Sequence, residues 1–393
     1  MAEKKLSRRE FIKKTVIATA GAGIGLHTIK GFYLDGNPSE FSRGFRNDVP
    51  DALWRWSREA SHYKTLSDGS IECKLCPHEC RLGADDRGFC RTRVNKGNKL
   101  YTLAYGNPCT VHIDPVEKKP LFHYLPGTII LSIATAGCNL RCLNCQNWSI
   151  SQFKPEETLN REFMPEAVVE TAIKINSPSI AYTYSEPIIY YEYTMDVSRA
   201  AKAAGLKNVW VSAGYINEKP LREAAKFMDA ANFDIKVFND AVYKKLCQAH
   251  LQPVMRGIEI LKEENVWFEI TRLVVPVLSD DREDIKKMCE WICARLGPET
   301  PLHLLRFHPD YKLRYLPPTS VEQLIEFRKL AMDSGLLYVY AGNVPGFTEG
   351  QTTFCPRCKM AVIKRSGFLI IEYNLKDGQC TNCNEKIAGI WGI

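Results

Sequence analysis

The feature that most constrains the fold is a repeated alternation of short apolar runs and longer segments of helical period, which begins at Thr128. The runs are rich in β-branched and aromatic residues, as buried strands are. Repeated strand–helix units of this length predict a parallel sheet with right-handed crossovers. Seven runs follow one another in the order TIILSIA, SIAYTY, NVWVSAG, NFDIKV, WFEITRLVV, PLHLLRFHP and LYVYAGNV.

This alternation predicts a full or partial (β/α) barrel of the TIM type, with an open, doubly wound sheet as the alternative. The barrel is expected at residues 126–350, between a cysteine-rich N-terminal region at 51–125 and a zinc-ribbon-like unit at 351–393. Several of the intervening helices are predicted to open with Pro, Ser or Asp. The predicted helices include Pro165–Lys174, Ile188–Ala204, Lys219–Met228, Asp281–Arg295 and Ser320–Ser334.

The composition predicts a large folded core that binds metal. Of 393 residues, 45% are hydrophobic, and eleven of the 15 cysteines fall in three clusters with metal-like spacing. In a chain of this size, such clusters indicate metal sites rather than a disulfide framework. The net charge of +7 is spread out, so nucleic acid is an unconvincing partner. The other four cysteines are expected to be small core residues: Cys109, Cys247, Cys289 and Cys293.

The central cluster is the loop GCNLRCLNCQNW, residues 137–148, which follows the first predicted barrel strand. We name it the cysteine loop; its thiols are Cys138, Cys142 and Cys145. Structural zinc is closed by four protein ligands, whereas three ligands leave a metal position open for chemistry. Thiolates that converge on an irregular loop are also typical of iron–sulfur clusters. A zinc loop with a distant fourth ligand, or three reduced core cysteines, remains the alternative.

The two other clusters each supply four candidate ligands, and four thiolates leave no open position. The N-terminal set indicates either structural zinc or an electron-relaying iron–sulfur cluster, and the C-terminal set has the spacing of a zinc ribbon. The N-terminal sulfur site consists of Cys73, Cys76, Cys80 and Cys90, and the C-terminal sulfur site of Cys355, Cys358, Cys380 and Cys383.

Unusual polar residues follow the predicted strands at their carboxyl ends. In a parallel barrel these ends meet at one rim, where functional residues gather. The sequence therefore predicts a common site at this rim. Its candidate residues are Ser185, Glu186, Ser212, Gly214, Asp234, Lys236, Glu269, Thr271, Arg272, Arg306, His308 and Asn343.

The spacing of the cysteine loop resembles that of the radical S-adenosylmethionine (SAM) superfamily. With AYTYSEP, FDIKVF, RFHPDY and YAGNVPG, the chain is similar to the branch of pyruvate formate-lyase activating enzymes, and within it to the AmmeMemoRadiSam system radical SAM enzymes. The resemblance implies a 4Fe-4S cluster on Cys138, Cys142 and Cys145, with SAM on the fourth iron. It further implies reductive cleavage of SAM to a 5′-deoxyadenosyl radical that abstracts hydrogen.

The resemblance also assigns roles to the residues at the rim. Ser185 and Glu186 resemble the family's Gly-Gly-Glu stretch, which holds the amino group of SAM. Ser212 and Gly214 resemble the strand end near the ribose and carboxylate, and Arg272 is a further candidate for cofactor binding. The proposed catalytic residues, Asp234 and Lys236, resemble an Asp-x-Lys pair beside the cofactor, and strand alternation places both on one face.

The implied partners are SAM and a reductant such as ferredoxin or flavodoxin. The expected substrate is a peptide or protein. Memo-like and AMMECR-like proteins are partner hypotheses, because the AmmeMemoRadiSam group is defined by its association with these two kinds of protein. The alternative function is a non-catalytic iron–sulfur or zinc protein that transfers electrons or docks partners on the same barrel.

Two features of the sequence lead to opposing predictions for the localisation of the protein. SRREFIK and the following TVIATAGAGIGL, within residues 1–50, resemble a twin-arginine signal, which exports or tethers folded proteins. Radical SAM chemistry favours the cytoplasm instead, because it needs cytoplasmic cosubstrate and reductant. No other segment approaches the roughly 18 apolar residues of a spanning helix.

Overall fold

The computed structural model describes residues 50–392, so the predicted export signal lies outside the described residues. The strands before the barrel are β1 (Arg58–Glu59), β2 (Tyr63–Thr65), β3 (Ile71–Cys73), β4 (Arg81–Leu82), β5 (Arg93–Lys96), β6 (Lys99–Thr102) and β7 (Thr110–Pro115). The parallel strands are β8 (Ile129–Ala134), β9 (Ser179–Tyr182), β10 (Lys207–Ser212), β11 (Ala230–Asp234), β12 (Trp267–Val274), β13 (Leu302–Arg306) and β14 (Val339–Gly342). The C-terminal strands are β15 (Thr353–Phe354), β16 (Ala361–Ser366), β17 (Leu369–Tyr373), β18 (Leu375–Lys376) and β19 (Gln379–Cys380).

The central sheet has eight strands in the order β14-β13-β12-β11-β10-β9-β8-β7. The seven parallel strands lie in chain order, and each pairs with its neighbours in sequence, as a barrel of β/α units requires. Within residues 50–392 the two end strands, β7 and β14, do not pair with each other. The fold is therefore the predicted partial (β/α) barrel with small cysteine-rich appendages.

The sheet begins earlier than the predicted boundary at residue 126. Strand β7 pairs antiparallel with β8, with Thr110 opposite Ala134 and Pro115 opposite Ile129. Most of β7 is exposed or half-buried, and Ile113 is 55% exposed. An edge strand with one solvated face lacks the continuous apolar run of a buried parallel strand, which explains why the sequence pattern missed it.

Helices cover the outer face of the barrel. The five predicted helices are present, with ends that shift by a few residues, and Ile188–Ala204 divides into a 3₁₀ turn at Pro187–Tyr190 and a helix. Two helices between β11 and β12 were not predicted, although Asn239 caps the first by accepting from the Val242 N–H at 3.2 Å. The helices are α1 (Asp51–Trp54), α2 (Trp148–Ser151), α3 (Pro165–Lys174), α4 (Tyr191–Ala203), α5 (Glu218–Ala225), α6 (Asp240–Cys247), α7 (Leu251–Glu263), α8 (Arg282–Trp291) and α9 (Val321–Asp333).

Both cysteine-rich regions pack on the barrel. In the C-terminal unit, the buried Arg365 of β16 donates from Nη2 to the Phe122 carbonyl at 2.7 Å and from Nη1 to Thr353 Oγ1 at 3.0 Å. Its guanidinium carbon also lies over the Phe122 ring, 4.3 Å from the ring centroid. A buried cation held in this way joins the C-terminal strands firmly to the barrel.

No helix in the part of the chain that the structure describes is long and apolar enough to cross a lipid bilayer.

Candidate active site

The carboxyl ends of the parallel strands surround a cavity of about 840 Å³. The cysteine loop follows β8, the SIAYTY strand β9 delivers Ser185 and Glu186, and β10 delivers Ser212. Strand β11 ends at Asp234, two residues before Lys236. Because these side chains line one cavity, the structure brings together eight of the twelve predicted rim residues: Ser185, Glu186, Ser212, Asp234, Lys236, Thr271, His308 and Asn343. Gly214, Glu269, Arg272 and Arg306 are not among the described residues that line it.

Three thiols of the cysteine loop line this cavity: Cys138, Cys142 and Cys145. Cys142 is buried and the other two are half-buried. Burial raises the pKa of the Cys145 thiol to about 11, so the metal-free thiol is protonated at neutral pH. Binding of a metal then releases a proton, and affinity for the metal increases with pH.

A fourth thiol, Cys247, lies beside the cysteine loop. The Cys142 Sγ donates to Cys247 Sγ at 3.3 Å, and this contact, together with burial, raises the pKa of Cys142 well above its ordinary value. Cys247 ends helix α6, and its carbonyl accepts from the Arg141 N–H at 2.9 Å. Cys247 is not among the cavity-lining residues of the described chain. The sequence reading of Cys247 as a core residue missed this contact.

Glu186 is the most perturbed carboxylate of the cavity. It is buried, and its two carboxylate oxygens accept from Ser212 Oγ at 2.5 Å and from the Ala213 N–H at 2.8 Å. Burial nevertheless raises the pKa of Glu186 to about 7. A cationic or N–H-bearing ligand in the cavity would favour the ionised form, which is the form that accepts hydrogen bonds best.

The loop that carries Glu186 is bonded both to the cysteine loop and to the residue that follows β8. Ser185 Oγ donates to the Thr135 carbonyl at 2.7 Å, and Asn147 Nδ2 donates to the Tyr184 carbonyl at 2.8 Å. Tyr184 has a φ of 64°, in the left-handed region that a tyrosine rarely adopts. These two bonds hold the loop in position, and so fix Glu186 relative to the three thiols.

Asp234 and Lys236 form an ion pair on the cavity wall, with Lys236 Nζ 2.6 Å from Asp234 Oδ2. Burial opposes protonation of Lys236, but the Asp234 carboxylate outweighs it and raises the lysine pKa above its ordinary value. Lys236 is therefore charged at neutral pH. This contact agrees with the prediction that strand alternation places the side chains of Asp234 and Lys236 on the same face.

Two predicted cofactor residues do not line the cavity of the described chain. Arg272 donates from Nη2 to the Ser279 carbonyl at 2.7 Å and lies 3.8 Å from the sulfur of Met288 in α8. It faces the helices, because Thr271 takes the inward position and neighbouring strand residues point to opposite faces. The structure therefore places Arg272, predicted to bind the cofactor, outside the cavity lining. Gly214 lies just behind the wall, where its N–H donates to Ser212 Oγ at 2.9 Å.

The cavity also contains polar atoms that have no partner. Asn144 Oδ1, Asn232 Oδ1 and Thr271 Oγ1 are buried without a hydrogen-bond partner within residues 50–392. Buried polar atoms are normally paired, so these three are free to form hydrogen bonds with a polar ligand in the cavity. Three thiols that line one cavity, one buried carboxylate and these unpaired atoms form a set of ligand atoms that fits an iron–sulfur cluster with SAM. The sequence analysis missed Asn144 although it lies inside the cysteine loop.

The C-terminal sulfur site is compact. Its four ligand atoms all lie within 4.8 Å of one another. Cys355 Sγ is 3.5 Å from Cys383 Sγ, and Cys358 Sγ is 3.6 Å from Cys380 Sγ. A tetrahedral zinc ion with Zn–S bonds of about 2.3 Å places its sulfurs about 3.8 Å apart, so this spacing suits one metal ion.

Comparison with known proteins gives consistent matches. The family model of the radical SAM superfamily matches residues 132–292. An uncharacterised protein of Methanocaldococcus jannaschii is 47% identical over 332 residues, covering 84% of this chain and 98% of that protein. The pyruvate formate-lyase-activating enzyme of Staphylococcus epidermidis is 27% identical over 214 residues, covering 49% of this chain and 84% of that enzyme.

Among solved structures, a domain of pyruvate-formate lyase-activating enzyme from Bacteroides vulgatus matches with a TM-score of 0.37 and 16% identity. This match covers 42% of the chain and 98% of that domain. The family match begins inside β8, includes the whole cysteine loop and runs through α8, so it contains the thiols and the carboxylate that line the cavity. The chain belongs to the radical SAM superfamily.

Proposed function

We propose that this radical SAM enzyme uses its cavity to abstract hydrogen from a peptide or protein segment. The carrying observation is that Cys138, Cys142 and Cys145 line the same cavity as Glu186 and the Asp234–Lys236 pair. When bound, a 4Fe-4S cluster supplies the electron that cleaves SAM to methionine and a 5′-deoxyadenosyl radical. The residues of the chain hold, orient and shield the reacting groups.

Each wall of the cavity has its own part in this proposal. The three thiolates hold the cluster on one side. Glu186, in its ionised form, accepts from the amino group of SAM, and Ser212 keeps the carboxylate in position through its 2.5 Å hydrogen bond. Asp234 and Lys236 lie farther along the wall as a charged pair that can contact the cofactor or the substrate.

A macromolecular substrate is supported by the surface at the cavity edge. Gly367 and Phe368, in the turn between β16 and β17, belong to the cavity lining. Phe368 is 50% exposed, and the neighbouring exposed residues Leu369, Ile371 and Tyr373 extend an apolar surface from the edge along β17. An exposed apolar patch continuous with an active site is typical of a protein-binding surface. We assign it to the body of a protein substrate whose segment enters the cavity.

The relatives named pyruvate formate-lyase-activating enzymes support an activating type of reaction, in which the product is a modified or radical-bearing protein. Memo-like and AMMECR-like proteins are the first substrate or partner candidates, on the AmmeMemoRadiSam resemblance. The test is anaerobic cleavage of SAM by the reduced enzyme with each purified candidate. Faster 5′-deoxyadenosine release with one candidate, lost on Phe368→Asp, supports the proposal. Equal rates with and without both candidates, but stimulation by a small molecule, would overturn it.

One observation bears on the alternative of a non-catalytic iron–sulfur protein, because Cys247 places a fourth thiol 3.3 Å from Cys142. That thiol is outside the cavity lining of the described chain, whereas Cys138, Cys142 and Cys145 all belong to it. The proposal therefore keeps Cys247 as a neighbour and not as a ligand.

For the C-terminal sulfur site we propose a structural zinc ion. The sulfur spacing of 3.5 and 3.6 Å carries this proposal. Measurement of the metal content of the purified protein tests it: one zinc that is lost in Cys358→Ala is expected, and iron in its place would contradict it.

A further inference from the structure

The four cysteines of the N-terminal sulfur site converge through the local fold. Strands β3 and β4 form an antiparallel hairpin in which the Cys73 N–H donates to the Cys80 carbonyl at 3.0 Å. Cys76 lies in the connecting turn, and its carbonyl accepts from the Glu79 N–H at 3.0 Å. The Phe89 N–H, next to Cys90, donates to Cys80 Sγ at 3.5 Å. The hairpin and the following loop thus bring four thiols to one place.

The spacing of these sulfurs differs from that of the C-terminal sulfur site. Cys73, Cys76, Cys80 and Cys90 interact electrostatically with one another. Yet no three of their sulfurs, all of them in the described chain, lie within 4.8 Å of one another. One zinc ion holds its four sulfurs about 3.8 Å apart. A four-iron cluster binds each thiolate to a different iron, so it suits a wider set of sulfurs.

Hydrogen-bond donors surround the N-terminal sulfurs. Thr92 Oγ1 donates to Cys90 Sγ at 3.4 Å, and Arg93 Nη1 donates to Cys73 Sγ at 3.6 Å. Arg93 is fully buried and also pairs with Glu192 through Nη2 at 2.5 Å. Hydrogen bonds to the sulfurs and nearby positive charge raise the potential of an iron–sulfur cluster, which makes it easier to reduce.

The N-terminal sulfur site touches the cysteine loop directly. A Cβ on Gly137 would come within 2.6 Å of the Cys90 carbonyl, so the backbones of the two sites are in contact. Arg141, between Cys138 and Cys142 in the chain, donates to the Phe89 carbonyl and stacks on the Phe89 ring at 3.8 Å. The cysteine loop therefore packs on the segment that carries Cys90.

Two further contacts complete this interface. His78 Nε2 lies 2.8 Å from the Asn139 carbonyl, which joins the turn after Cys76 to the cysteine loop. Arg91 Nη1 is buried without a hydrogen-bond partner in the described chain, and Arg91 interacts electrostatically with both Cys90 and Cys138. An unpaired buried guanidinium nitrogen between two sets of sulfurs indicates an anionic group at one or both of them.

We propose that Cys73, Cys76, Cys80 and Cys90 bind a second iron–sulfur cluster, of the 4Fe-4S type, that exchanges electrons with the site on the cysteine loop. A ferredoxin- or flavodoxin-class donor gives it one electron, which reduces its iron, and transfer of that electron to the cysteine loop restores the oxidised state. The acceptor of this electron is the 4Fe-4S cluster that the proposed function assigns to Cys138, Cys142 and Cys145, so this step rests on that proposal, and no atom or proton is transferred. Three of its cysteines are half-buried, which leaves one side of the site near the surface for the donor.

The test removes the three thiols of the cysteine loop by mutation and measures the iron and sulfide that the remaining protein binds. In Cys138→Ala/Cys142→Ala/Cys145→Ala, purified without oxygen, the proposal predicts about four irons and four sulfides per chain. Further removal of Cys76 and Cys90 as Ser should abolish them, whereas further removal of Cys289, in α8, should leave them unchanged. Zinc in place of iron, or iron without sulfide, would overturn the proposal. This count does not depend on SAM cleavage, so it is separate from the test of the proposed function.

A second readout tests the contact between the two sites. The dithionite-reduced wild-type protein should show an electron paramagnetic resonance signal broadened by coupling between two nearby clusters. The triple variant should show one uncoupled signal with slower relaxation. If the wild-type spectrum is the simple sum of two independent signals, electron exchange across the Gly137–Cys90 contact is refuted. If the five-cysteine variant does not fold, the sulfide content of the triple variant still decides the first question.

Discussion

Glu186→Gln is expected to weaken SAM binding in a pH-dependent way. The substitution keeps the size of the side chain and removes the charge that we assign to the amino group of SAM. Glu186 is buried and held by Ser212 and the Ala213 N–H, so the loss is not compensated by water. A hydrogen bond to a charged group contributes about 1.5–3 kcal/mol, which corresponds to about 10- to 150-fold in Kd.

The pH dependence follows from the pKa of Glu186, which burial raises to about 7. Below that pH the carboxyl of the free enzyme is protonated, and binding must first ionise it. Wild-type affinity should therefore increase about tenfold between pH 6 and pH 8 relative to the variant, which has no group to titrate. Using the ratio of the two Kd values cancels the titration of SAM itself.

The assay is anaerobic equilibrium dialysis of labelled SAM against the cluster-loaded wild type and variant, with iron content measured in both. Equal iron shows that the substitution leaves the cluster intact. An unchanged Kd would remove Glu186 from the SAM site. A Kd ratio that stays constant from pH 6 to pH 8 would refute the assignment of the raised pKa to the binding carboxylate.

Three further outcomes are expected. Cys358→Ala should lose the C-terminal metal and unfold the tail, seen as proteolysis after residue 351 with the barrel intact; a resistant tail would contradict structural zinc. Gly214→Ala should lower the free energy of unfolding by about 1–3 kcal/mol more than Gly205→Ala, because both have positive φ but only at Gly214 does a Cβ meet a ring, at 2.6 Å. Equal losses in denaturant unfolding would contradict this packing. The iron-free wild-type protein should form a Cys142–Cys247 disulfide in air, because the two sulfurs are 3.3 Å apart, and mass spectrometry would detect it. Cys247→Ala should prevent this disulfide and retain SAM cleavage. Loss of SAM cleavage in Cys247→Ala would make Cys247 a functional ligand.

The parallel core of the fold could be predicted from the sequence because buried strands read as continuous apolar runs between helical segments. Strand β7 could not, because its edge position exposes residues such as Ile113. The same alternation that places Asp234 and Lys236 together also excludes Arg272 once Thr271 is given the inward position. Alternation along β13 likewise turns His303 and Leu305 towards the cavity and Arg306 away from it. The Nε of Arg306 donates to the Thr319 carbonyl at 2.8 Å.

Contacts between distant segments could not be read from the sequence. The Cys142–Cys247 contact joins residues 105 positions apart, and its position depends on helix α6, which the pattern missed. The packing of Cys90 against Gly137 likewise depends on how the β3–β4 hairpin and the loop after it pack against the barrel. The cysteine spacing predicted three sulfur sites, but only the distances between sulfurs separate a compact set from a wide one.

The central claim is that the cavity with Cys138, Cys142 and Cys145 performs reductive cleavage of SAM. The most direct measurement is 5′-deoxyadenosine formation by the anaerobic, cluster-loaded protein with dithionite and SAM, compared with Cys142→Ala and with Cys109→Ala as a control outside the cavity lining. The account predicts product from the wild type and from Cys109→Ala, and none from Cys142→Ala. Equal product from Cys142→Ala would contradict the assignment of the catalytic thiols.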